Sequence, residues 1–108
     1  MVSENVATET TNGLRNYELV IIVSPQLSEE AFEGTIDKYN RFITVKGGII
    51  GDTQRWGKRK LAYPIKHSGE GNYVLFKFRM KPAASRDLES SLRISEEIMR
   101  HLLVKIED

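Results

Sequence analysis

An α+β sandwich of the ferredoxin-like, split βαβ type is what this sequence predicts: a four-stranded antiparallel sheet with both helices on one face. Three observations lead there. Tyr17–Val23 and Asn72–Met80 have strand patterning, Phe32, Ile36, Tyr39 and Ile43 recur at helical spacing, and the element order reads strand, helix, strand, strand, helix, strand. Two strand-helix-strand halves close into that sandwich.

Taking the elements in order, Tyr17–Val23 (Y-E-L-V-I-I-V) is a β-branched apolar run stopped by Ser24-Pro25, since proline cannot donate to a ladder. Its alternation assigns Tyr17, Leu19, Ile21 and Val23 to the core and Val20 and Ile22 to the opposite face. Ser28 ahead of Glu29 and Glu30 is an N-cap with acids in the first turn, and Gly47-Gly48 is a C-terminal stop. Ile49 to about Tyr63 is extended, with Gly57 at a bulge or bend, and Pro64–Gly71 supplies turn chemistry. Asn72–Met80 places Val74, Phe76, Phe78 and Met80 on one face and Tyr73, Leu75, Lys77 and Arg79 on the other, leaving Tyr73 the lone aromatic on the open face. Pro82 opens a second helix in which Leu88 and Leu92 stack, while Ser85, Arg86, Asp87 and Glu89 lie outward. Ile98–Ile106 closes the chain as a strand whose facing stays open, because Leu102 and Leu103 fall on opposite sides.

The 108 residues, 40% of them hydrophobic, suit one domain over 14–108 with one core, and the polar residues 1–13 read as a disordered tail. Without cysteine there is no disulfide framework, thiolate zinc site or thiol nucleophile. No apolar run is long enough to span a membrane, and the N-terminus lacks the features of a secretory signal or a transit peptide.

The net charge of +1 conceals an asymmetry: residues 1–54 carry 4 Lys/Arg against 8 Asp/Glu, and residues 55–108 carry 12 against 7. The basic half begins with Arg55–Lys66 (R-W-G-K-R-K-L-A-Y-P-I-K), where positive charge rides on a strand pattern without a single acid. Such a face points to a polyanion.

Catalytic chemistry finds little footing. His67, in a turn, and His101, on a strand, lack metal-ligand spacing, and Glu29-Glu30 and Glu96-Glu97 fit helix ends or solvated surface. The loop Ser24-Pro25-Gln26-Leu27 after the first strand lacks the glycines of a phosphate cradle, which weighs against a hydrolase or small-ligand module on this fold, the alternative reading. An RNA recognition motif is a poor match too, because Val20 and Ile22 stand where its stacking rings belong. Phosphate contact from edges and loops remains, by Arg15, Lys58, Arg59, Lys60, Arg93 and Arg100. For Lys58–Lys60 the competing reading is edge-strand protection against aggregation.

Arg15-Asn16-Tyr17-Glu18, Ser24-Pro25, the Gly57–Ile65 segment G-K-R-K-L-A-Y-P-I and Leu92-Arg93-Ile94 before a basic last strand resemble the bacterial small-subunit ribosomal protein six family, from about Leu14 to Glu107. The resemblance implies the same fold and a structural, non-enzymatic role in a bacterial, cytoplasmic ribosome. It implies binding to the central domain of the small-subunit 16S rRNA jointly with ribosomal protein eighteen, which would cover the helix-free sheet face, and no cofactor, metal, DNA or membrane. By position, Arg15, Tyr17, Lys58, Arg59, Arg93 and Arg100 match aromatic or basic family sites near RNA or that partner. Asn16, Ser95 and Met99 replace arginines of some relatives, which implies less charge on that side.

Overall fold

The computed structural model describes residues 13–65 and 68–106. The elements are β1 (Arg15–Val23), α1 (Glu29–Val45), β2 (Ile49–Ile65), β3 (Ser68–Met80), α2 (Pro82–Ile94) and β4 (Ile98–Ile106). The strands form one antiparallel sheet in the order β2-β3-β1-β4, so β2 and β4 are its edges. This is the ferredoxin-like sandwich expected from the sequence. The tail expectation for residues 1–13 lies outside the described residues except at Gly13, and the turn placement of His67 lies outside them too.

Alternation in β1 and β3 sets the core. Leu19, Ile21, Val23, Val74, Phe76 and Met80 are fully buried against Ile36, Tyr39 and Ile43 of α1 and Leu88 and Leu92 of α2, so both helices cover the same sheet face. The ends of α1 follow from its caps. Ser28 Oγ accepts from Ala31 N at 3.1 Å, satisfying one of the amides that a helix start leaves free. At the other end Gly47, at φ +85°, donates to Thr44 O at 3.0 Å, and Gly48 donates to Ile43 O at 2.8 Å. That pair of bonds is the Schellman arrangement, and its left-handed residue favours glycine.

Three expectations change. β2 runs through Pro64 to Ile65, which pairs with Ser68 at the start of β3, so among the described residues Pro64–Gly71 is strand rather than turn. An edge strand has one unpaired side, so the missing N–H of Pro64 costs no ladder bond there. Ser85 is buried, its Oγ donating to Pro82 O at 2.7 Å; that local bond satisfies the hydroxyl and lets it face inward. The facing of β4 is settled by its register with β1. Leu103 lies opposite Leu19 and His101 opposite Ile21 on the helix side, whereas Leu102 lies opposite Val20 and Arg100 opposite Ile22 on the helix-free side.

Candidate nucleic-acid interface

The helix-free face is built from register rows. Val20 is flanked by Leu75 and Leu102, and Ile22 by Tyr73 and Arg100. Glu18 lies between Lys77 and Val104, and Asn16 between Arg79 and Ile106. Leu102, 61% exposed, continues with Val104 and Ile106 as an apolar strip along edge strand β4. The strip lies next to a core already filled from the other side. Ile22 and Leu75 are on this face yet buried; Ile22 fills the space above Gly71, where a larger residue would run into it, with Met99 beside it.

Beyond the Ile22 row the face turns cationic and aromatic. β2 carries a bulge between Arg55 and Gly57, and Gly57 adopts φ +90°, a backbone state that glycine takes without strain. The extra residue is Trp56. Its ring lies nearly parallel to that of Tyr73, 13° between planes and 6.5 Å between centroids. Tyr73 is therefore not the lone aromatic on the open face. The Arg59 guanidinium carbon stands 5.6 Å from the Trp56 ring centroid, and Arg59 lies opposite Gly71 in the ladder.

Arg55, first in the basic stretch, points the other way. Its Nε donates to Glu33 Oε2 at 2.9 Å and its Nη2 to Glu33 Oε1 at 2.7 Å, a two-pronged pair that ties β2 to α1. Hydrogen bonding from Arg55 holds the Glu33 carboxyl below its ordinary value and raises the guanidinium above its own. Thr53 Oγ1 donates to Asn40 Oδ1 of the same helix at 3.3 Å. The positive charge available to a partner accordingly starts at Lys58.

The structure sorts the residues singled out from sequence. Arg59 and Arg100 share the helix-free face at one end of the sheet. Lys58 and Lys60 sit at the same end on alternate positions, opposite Asn72 and Glu70, on the exposed edge strand where the protective reading also applies. Arg93 ends α2, where its charge complements the helix dipole, and it borders a depression shared with Arg100 and Met99. Arg15 stands at the far end of the sheet, opposite Met80, its Nη1 donating to Leu14 O at 3.2 Å. Tyr17 is 6% exposed and stacks on Phe78 at 5.8 Å, so in this fold its ring is core packing. His101 is half-buried on the helix side, 3.6 Å from Glu89.

Trp56 and the β4 strip escaped sequence reasoning. Gly57 signalled a bulge, but which neighbour becomes the extra residue, and hence its face, depends on the pairing with β3.

A sandwich with a filled helix side and a sheet side offering an apolar strip and an arginine-rich aromatic end defines an α+β binding domain. Comparison with known proteins makes this particular. The family model described as ribosomal protein S6 matches residues 16–105. The small ribosomal subunit protein bS6 of Caldanaerobacter subterraneus is 42% identical over 95 residues, covering 88% of this chain and all of that protein. That of Dehalococcoides mccartyi is 35% identical over the whole chain and 99% of its own length. The crystal structure of 30S ribosomal protein S6 from Thermotoga maritima superposes with a TM-score of 0.82 at 32% identity, covering 86% of this chain and 88% of that one. The chain belongs to the ribosomal protein S6 family of the bacterial small ribosomal subunit, as the resemblance of the Gly57–Ile65 segment implied.

Proposed function

We propose that this chain is a structural, non-catalytic protein of the cytoplasmic ribosome that binds the central domain of 16S rRNA together with ribosomal protein eighteen. The observation that carries this reading is the helix-free face, where the Leu102, Val104 and Ile106 strip adjoins the Arg59 and Arg100 end. An apolar strip fits a protein neighbour, and an arginine-rich end fits phosphate. The two surfaces adjoin on one face, so a partner on the strip and RNA at the basic end would bind side by side and stabilise each other's placement. Family membership supports the ribosomal setting.

Phosphate contact displaces counterions, so affinity for a central-domain rRNA fragment should fall steeply with salt. We expect Arg59→Ala to weaken binding at low salt and to reduce the slope of log affinity against log salt by about one. Its thermal midpoint should stay close to that of the parent, because Arg59 is exposed. Titration of a labelled fragment across salt concentrations, with the partner present, reads both. An unchanged slope with a lowered melting temperature would instead assign Arg59 to protection of the β2 edge.

A further inference from the structure

We infer that Trp56, Tyr73 and Arg59 form a stacking site for an unpaired nucleobase of RNA. The inference rests on the reading that RNA is a partner of this chain, and it assigns to that RNA a contact that charge alone does not provide.

The cluster is held in place before any ligand arrives. Trp56 Nε1 donates to Gln54 Oε1 at 3.1 Å, and Gln54 Nε2 donates to Asp52 Oδ2 at 2.8 Å, a relay along β2 that fixes the indole plane. Tyr73, from the neighbouring strand, supports the ring at 13° between planes. A ring already oriented loses little freedom on binding, so more of the contact free energy appears as affinity. Trp56 nonetheless keeps 41% of its surface in water.

Charge selects the occupant. Arg59 lies against the indole, and Arg100 stands across Ile22 from Tyr73, lining a shallow depression with Val20, Ile22 and Leu102. From the Val20 row to Arg59 the register places Gln54, Leu75, Tyr73, Gly71, Ile22, Arg100 and Leu102 on this face, without an acid. Flat rings with adjoining cations, and with the acid of the next row, Asp52, engaged by Gln54, match a base together with its phosphates, the combination used for single-stranded nucleic acid. A duplex keeps its bases stacked inside and offers this site only phosphate.

Trp56 is the single tryptophan of the chain, so its emission reports this site alone. The full chain would be titrated at low salt with a single-stranded adenosine decamer and, separately, with the same decamer paired to uridines. The expected result is saturable quenching of Trp56 by the single strand and little by the duplex. Trp56→Ala should weaken binding of labelled single strand by about tenfold, within the range found for base–aromatic stacks, while Trp56→Phe, which keeps a ring, retains most of it. Emission that stays unmoved while the labelled strand saturates would overturn the inference. Quenching that appears only on adding ribosomal protein eighteen would also overturn it, giving the cluster to a protein interface. A chain quenched by the single strand that fails to assemble on central-domain rRNA refutes the proposed function and leaves the stacking site standing. Assembly with Trp56 unquenched does the reverse.

Discussion

Leu102→Asp is expected to lower affinity for ribosomal protein eighteen by about thirtyfold or more, the effect of losing a central interface anchor, while leaving the domain folded. Leu102 is 61% exposed and lies opposite Val20 on the helix-free face, so a carboxylate there stays solvated in the free chain. In a complex the same carboxylate would be taken out of water beside Val20 and Val104 without a partner, and that desolvation opposes binding. Calorimetric titration with the partner protein and a thermal melt of the free chain separate the two effects. Unchanged affinity would move the protein interface off this strip, and a collapsed melting temperature would make Leu102 a residue of stability.

Phe76→Ala is expected to do the opposite, removing about 3–5 kcal/mol of stability, the usual range for emptying a large aromatic site. Phe76 is fully buried on central strand β3, flanked in register by Leu19 of β1 and Thr53 of β2, on the side that both helices cover. A loss of that size is a large share of the roughly 5–15 kcal/mol that holds a domain together. Urea unfolding monitored by circular dichroism measures it. A loss below about 1 kcal/mol would mean that the site collapses around the deletion or that the helix side is packed less tightly than its burial states.

These two substitutions stand on opposite faces of one sheet, and the sequence distinguished those faces unevenly. In β3 the alternation from Phe76 to Met80 is unambiguous because Lys77 and Arg79 interrupt it, and the structure buries the assigned side. The caps of α1 were equally legible, since Ser28 and Gly47 act through their own local backbone bonds. β4 was not, because Leu102-Leu103 gives both faces a leucine and only pairing with β1 decides between them. The apolar strip therefore could not be seen from one strand.

The basic stretch shows the same division between local and long-range information. Its charge was visible, but the capture of Arg55 by Glu33 joins residues 22 apart in sequence, and no local pattern announces it. Trp56 turns towards Tyr73 because one residue is extra in β2, a fact of registry. The turn expected over Pro64–Gly71 is too long, because Pro64 and Gly69 are turn formers that the irregular end of the β2–β3 ladder accommodates within strands.

The proposed binding surface joins Arg59, Arg100 and the β4 strip, with RNA at one end and a protein along the rest. Hydroxyl-radical protection of central-domain rRNA, with this chain alone, ribosomal protein eighteen alone and both together, tests that most directly. Strong protection is expected only with both proteins, weakened throughout when Leu102→Asp replaces the parent chain. A full pattern of protection by this chain alone, unaffected by that substitution, would contradict it.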